Sequence, residues 1–314
     1  MANLKKQFNV VLTGGNGFLG QHLLMHDAFK RALIIGRTKP AGQCNFKSIS
    51  LDSEDMSKVL CNKDVVVHVA GRAHVMGESS KNAICEYRIV NTLGTLNIAK
   101  QAAKNGVKRF IFISTIKVLG DKTISGRPFN NSDEYDPCDP YSISKVEAEI
   151  GLKEIGNEYD MDIVILRPPL IYGRGVKGNF KSIINLLKLK IPLPFGSIKN
   201  KRSFVSVENL VDLIVTCIDH PNAKNKVFLV SDDQDVSTPK LFSMLSEAGK
   251  KKTFIFKCPI FVLFFCLKII GKVGIYERLC GSMQVNIEYT KSQLNWTPRY
   301  RFKDSLANCW IDVD

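Results

Sequence analysis

The chain lacks any Cys-x-x-Cys pair, although nine cysteines (Cys44, Cys61, Cys85, Cys138, Cys217, Cys258, Cys266, Cys280 and Cys309) are scattered over its 314 residues. An odd number at that spacing argues against a disulfide framework and a zinc ribbon, so no metal site is expected. Reduced thiols fit a cytoplasmic protein. There is no low-complexity tail and no solenoid repeat. No apolar run reaches the roughly 20 residues of a confident membrane span. The nearest, residues 254–270, is interrupted by Lys257 and Lys268. It is expected to be a buried or interfacial helix of the second lobe, with peripheral membrane contact the less favoured alternative. Residues 1–8 hold charge but no apolar stretch, so no secretory leader is expected.

Charge of one sign is in excess: 44 Lys and Arg against 30 Asp and Glu give a net charge of +14. Such a field draws polyanions of any kind. The lysines are dispersed, however, with Lys250-Lys251-Lys252 the longest run and no basic stripe interleaved with aromatics. Nucleic acid is therefore not an expected partner. Hydrophobic residues at 45% and charged residues at 24% suit a soluble globular protein with a large core.

What is present is alternation. Apolar runs at 8–13, 31–36, 46–51, 64–69, 108–113 and 162–167 are separated by helical patterns at 17–29, 54–61, 82–105 and 141–158. That order predicts an α/β fold, a Rossmann-type doubly wound parallel sheet. Beyond Arg167-Pro168-Pro169, glycines and prolines break the chain into short pieces around one helix at 179–190. Residues 227–231 again read as a buried strand. The expected organisation is a dinucleotide-binding domain over 1–170, completed by about 204–232. A smaller mixed α/β substrate-binding lobe would be formed by 171–203 and 233–314.

Gly14, Gly17 and Gly20 follow the first strand directly and open a helix. Glycines there permit a tight turn and close approach of a pyrophosphate to backbone N–H groups, while the helix N-terminus favours negative charge. Asn16, Phe18 and Leu19 belong to the same turn. At the end of the second strand stands Arg37, where an acidic residue would grip a ribose hydroxyl and an arginine accommodates a 2′-phosphate. NADP(H) is therefore favoured, with NAD(H) the other option. Asp52 is placed to meet the adenine, and Ala70-Gly71 lets the backbone pass close under the cofactor.

Tyr141 and Lys145 stand four apart on an expected helix and so share a face. The ammonium, together with the positive charge of the bound cofactor, is expected to favour the phenolate. Lowering a phenol from about 10 to about 7 requires roughly 4 kcal/mol of differential stabilisation.

Thr13-Gly14-Gly15-Asn16-Gly17-Phe18-Leu19-Gly20, Tyr141-Ser142-Ile143-Ser144-Lys145, Val90-Asn91-Thr92-Leu93-Gly94-Thr95 and Ser114-Thr115 together resemble the extended short-chain dehydrogenase/reductase superfamily, over essentially the whole chain. The resemblance implies a catalytic Thr115, Tyr141 and Lys145, with Asn91, Tyr141 and Lys145 also at the cofactor. Thr115 is the better candidate of the Ser114-Thr115 pair, and both would line the substrate. Arg202 and Arg278 resemble the arginines that bind the substrate diphosphate in UDP-galactose 4-epimerase-like enzymes. Asn179 offers either a polar contact to the sugar or a helix N-cap. Leu170 and Leu119 replace residues common in the family, which leaves sugar preference open.

Ser114-Thr115-Ile116-Lys117-Val118 and Arg167-Pro168-Pro169-Leu170-Ile171-Tyr172-Gly173 look closest to the nucleotide-sugar branch of bacterial polysaccharide biosynthesis, including O-antigen and lipopolysaccharide enzymes. The expectation this supports first is an oxidoreductase: NADPH-dependent reduction of the 4-keto group of a dTDP- or UDP-linked 4-keto-6-deoxyhexose. The alternative is a UDP-hexose 4-epimerase with tightly bound NAD. The expected partner is a nucleotide-sugar, with a homodimer compatible with either. A non-catalytic dinucleotide sensor would have no need of Thr115, Tyr141 and Lys145 together.

Overall fold

The computed structural model describes residues 8–53, 55–72, 83–124, 126–269 and 271–311. The reading of residues 1–7, the expected helix starts at 54 and 82, and residue 270 lie outside them. The strands in chain order are β1 (Val10–Thr13), β2 (Leu33–Gly36), β3 (Phe46–Ser48), β4 (Val65–His68), β5 (Arg109–Ile113), β6 (Asp162–Arg167), β7 (Leu170–Tyr172), β8 (Phe204–Ser206) and β9 (Lys226–Leu229). The first-half helices are α1 (Phe18–Met25), α2 (Ser57–Leu60), α3 (Ala83–Tyr87), α4 (Gly94–Lys104) and α5 (Pro140–Tyr159). Later come α6 (Gly178–Lys188), α7 (Val207–Asp219), α8 (Thr238–Ala248), α9 (Ile260–Ile269), α10 (Val273–Cys280), α11 (Glu288–Leu294) and α12 (Phe302–Asn308).

Among the described residues, seven parallel strands form one sheet in the order β3-β2-β1-β4-β5-β6-β9. This is the Rossmann-like arrangement that the alternation implied. Both faces are covered, which is why β1, β4 and β5 read as unbroken apolar runs. Val10, Leu12 and Ile111 point into one core layer, and Val11, Phe110 and Phe112 into the other. A third core, built around Tyr172, Phe180, Phe204, Phe242 and Phe302, holds the second lobe. The small parallel pair β7-β8 was not foreseen, because its two three-residue strands are too short for periodicity to show.

Two expected helices differ in detail. The pattern at 17–29 ends as α-helix at Met25, and a separate 3-10 turn runs over Asp27–Phe29. The pattern at 82–105 contains a π-helical stretch, Arg88–Leu93, between α3 and α4. Such insertions cluster at functional sites. By contrast α5 is capped by rule: Asp139 and Ser142 form a reciprocal capping box, Pro140 occupies the first turn, and Asp160 closes the helix in the left-handed conformation.

Candidate active site

The carboxyl ends of β1, β4 and β5 meet at the point where strand order reverses from β1 to β4, the crevice in which such sheets bind ligands. Gly14 has φ +74°, and a Cβ there would fall 2.6 Å from Ala70 N. At Gly20 a Cβ would fall 2.2 Å from Gly14 O. The turn after β1 is thus pressed against the chain leaving β4 and against the start of α1. Asn16 Nδ2 donates to Thr38 O at 2.5 Å, tying this turn to the residue after the exposed Arg37. Asp52 is exposed beyond β3.

The π-helical stretch carries Asn91 into the interior. Its Oδ1 accepts from Arg72 N at 2.7 Å, and its Nδ2 donates to Ser144 Oγ at 3.1 Å, one residue before Lys145. A Cβ on Gly71 would lie 3.2 Å from Asn91 Oδ1 and 3.5 Å from Lys145 Nζ. Gly71, Asn91 and Lys145 are thereby brought together. Lys145 is buried, donates to Ile113 O at 2.9 Å, and holds its ammonium 4.4 Å from the Phe112 ring centre. Burial pushes its pKa down to about 8, opposed in part by Glu149.

The Thr115 side chain hydrogen-bonds the Tyr141 phenol, which favours the phenolate. Burial and the neighbouring Asp139 carboxylate nevertheless push Tyr141 up to about 12. The expectation that Lys145 lowers the phenol is corrected here. The ammonium spends its contacts on Ile113 O and the Phe112 ring, so desolvation of the phenolate wins.

Ser114 has a partner that sequence reading did not foresee: its hydroxyl donates to Glu149 Oε1 at 2.5 Å. Glu149, fully buried on α5, is also gripped by Arg167 at 2.6 and 3.1 Å and by the Tyr135 hydroxyl at 2.9 Å. A glutamate one turn after Lys145 and an arginine ending an apolar strand were the available signals.

A second missed residue is His68, which ends Val65-Val66-Val67-His68 in register with Thr13 and is fully buried. Thr95 Oγ1 donates to Asn91 O at 2.7 Å, so it accepts from His68 Nε2 at 3.0 Å. Thr13 Oγ1 accepts from Ala70 N at 3.1 Å and donates to His68 Nδ1 at 2.9 Å. A neutral imidazole therefore links the glycine turn to the π-helical stretch.

In the second lobe, Arg202 Nη1 donates to Arg278 O at 2.8 Å and to Gly281 O at 3.4 Å, at the C-terminus of α10. Both arginines thus stand at one corner of the lobe, and Arg202 is partly buried. Asn179 is the second residue of α6, whose N-cap is Lys177, so it does not serve as the cap. Among the described residues no cluster of His, Cys, Asp or Glu is placed to hold a metal ion. None of their helices is long and apolar enough to cross a membrane.

Residues 10–231 match the NAD dependent epimerase/dehydratase family. The chain belongs to that family. A UDP-glucose 4-epimerase of Vibrio cholerae is 46% identical over 303 residues, covering 92% of this chain and 90% of that protein. An N-acetyl-alpha-D-glucosaminyl-diphospho-ditrans,octacis-undecaprenol 4-epimerase of Escherichia coli O157:H7 is 27% identical, covering 88% and 84%. Among solved structures, a UDP-N-acetylglucosamine 4-epimerase from Methanobrevibacter ruminantium M1 superposes with TM-score 0.76 at 22% identity, covering 97% and 98%. The fold is shared with that solved structure over nearly the whole length of both chains. The glycine cradle and the Asn91–Lys145 corner suit the nicotinamide cofactor that the family uses.

Proposed function

We propose that the protein is a nucleotide-sugar 4-epimerase acting on a UDP-hexose and retaining its nicotinamide dinucleotide through turnover. The observation that carries this reading is the 46% identity to a UDP-glucose 4-epimerase over 92% of the chain, joined to a Thr115–Tyr141–Lys145 corner suited to proton and hydride chemistry. The first expectation, an NADPH-dependent 4-keto reductase, yields to its alternative on that ground. Arg37 is exposed at the end of β2 and alone is weak support for a 2′-phosphate.

Gly14, Gly17 and Gly20 would carry the pyrophosphate, with Gly71, Asn91 and Lys145 beside the nicotinamide ribose. When bound, that cofactor supplies reversible hydride transfer at the sugar C4. Tyr141 would take the proton of the C4 hydroxyl as a phenolate and return it as a phenol, the hydrogen bond from Thr115 and the positive charge of the bound oxidised nicotinamide opposing the desolvation that raises the phenol. Thr115 would hold the same hydroxyl in line. Arg202 and Arg278 would meet the substrate diphosphate, to which a guanidinium is suited in geometry and charge.

The test is turnover of UDP-glucose and UDP-N-acetylglucosamine by protein purified without added cofactor. The reading expects C4-inverted product with no net change in absorbance from reduced nicotinamide. Stoichiometric NADPH oxidation with a 4-keto-6-deoxy sugar, and no epimerisation, would refute it.

A further inference from the structure

Helix α9 has the wrong side facing water. A surface helix ordinarily turns an apolar stripe inward and a polar one outward. α9 reads Ile-Phe-Val-Leu-Phe-Phe-Cys-Leu-Lys-Ile and buries only Leu263. Leu263 and Leu267 pack on the second-lobe core, and Phe264 meets Tyr276 of α10 edge-on at 5.1 Å. On the other side, spaced four apart, Phe261, Phe265 and Ile269 are 65%, 56% and 83% exposed. Phe254 and Phe256, stacked on each other and exposed, precede the helix. Their backbone is hydrogen-bonded to Leu193, which brings the exposed Leu189 and Ile191 nearby. Single exposed apolar residues are ordinary, but a run of this kind marks an interaction surface.

The charge along this segment of the chain is of one sign. Between Glu247 and Glu277 the sequence carries Lys250, Lys251, Lys252, Lys257, Lys268 and Lys272, and no Asp or Glu. Lys268 reaches back over the Phe264 ring at 5.9 Å. A second copy of the chain on this face would set lysines against lysines. A bilayer containing anionic phospholipid answers both features at once, since aromatic side chains enter the acyl boundary while lysines meet headgroups. A ten-residue helix spans only about 15 Å, so it can lie in the interface but not cross it.

We propose that the α9 face is a peripheral docking surface for an anionic phospholipid bilayer. This takes up the alternative that the sequence left for residues 254–270, peripheral membrane contact, and it holds independently of which sugar is turned over. α10, which packs on α9, carries Arg278, so the docked face lies one helix from the arginines assigned to the substrate diphosphate.

The full chain is sedimented with extruded vesicles of phosphatidylcholine alone, or of phosphatidylcholine and phosphatidylglycerol in roughly equal parts. Binding is expected to be about tenfold or more stronger to the anionic vesicles and to weaken as salt is raised. A Phe261→Ser/Phe265→Ser variant is expected to lose most of that binding. Both side chains are exposed, so its Tm should match the wild type. A Lys268→Glu/Lys272→Glu variant provides a second probe that leaves the apolar face intact, and it should lose the salt-sensitive part. Failure of the wild type to bind anionic vesicles overturns the proposal. So does equal binding of the wild type and both variants, or a dimer in sedimentation equilibrium that the serine variant dissolves.

Discussion

Helices α5 and α9 invert one another. α5 buries Ser144, Lys145 and Glu149, whereas α9 buries Leu263 and leaves Phe261, Phe265 and Ile269 in water. Each departure from polar-out, apolar-in is tolerable for a different reason. The buried charges of α5 have partners: Lys145 has Ile113 O and the Phe112 ring, and Glu149 has Arg167, Ser114 and Tyr135. The exposed rings of α9 have none of that internal compensation, and their cost falls when something else covers them. Polar groups taken inside must be answered within the fold, while apolar groups left outside point beyond it.

The comparison breaks most visibly at Tyr141. Tyr141→Phe is expected to lower kcat by about 10²–10⁴-fold while leaving Tm near that of the wild type, measured by steady-state epimerisation and thermal unfolding. A variant with full turnover would remove Tyr141 as the proton carrier.

Glu149→Ala comes next, on stability. Arg167 would be left as a buried charge without its counterion, and denaturant titration should show a loss of about 3–5 kcal/mol. A loss below about 1 kcal/mol would mean that Arg167 finds water or another acceptor.

His68 sharpens the contrast through pH. Burial and the Lys145 charge lower its pKa from 6.5 to about 3. The unfolded chain then takes up a proton below about 6.5, which the native state refuses until about 3. This contribution to stability is present above 6.5 and is lost as pH falls through that window, at up to about 1.4 kcal/mol per pH unit. His68→Gln should flatten that part of the pH–stability curve. An unchanged slope would assign it to the carboxylates instead.

Smallest is Phe265→Ser. An exposed side chain without core contacts should change folding free energy by no more than about 0.5 kcal/mol. A loss of several kcal/mol would show that the α9 face is packed in solution.

Much of this architecture was legible because it is local. The glycine turn, the Tyr141–Lys145 spacing and the apolar strands each express short-range stereochemistry that a sequence carries on its face. That the sheet is parallel and covered on both faces followed from the alternation of strands and helices, whereas the order of its seven strands came from the structure. The β7-β8 pair and the π-helical stretch at Arg88–Leu93 were not legible, since neither leaves a periodicity long enough to read.

The distant partners were the other part that sequence could not supply. His68 meets Thr13 and Thr95 across 55 and 27 positions, and Ser114 meets Glu149 across 35. Nothing in residue spacing says that Ser114 is engaged while Thr115 reaches the phenol.

By itself the sequence determined the class of fold and the glycine turn after β1, because these depend on backbone geometry and residue chemistry within a few positions. Only the tertiary structure decided the direction of the Tyr141 and Lys145 pKa shifts and the side of α9 that meets water. Burial is a property of the whole packed chain, and desolvation follows burial.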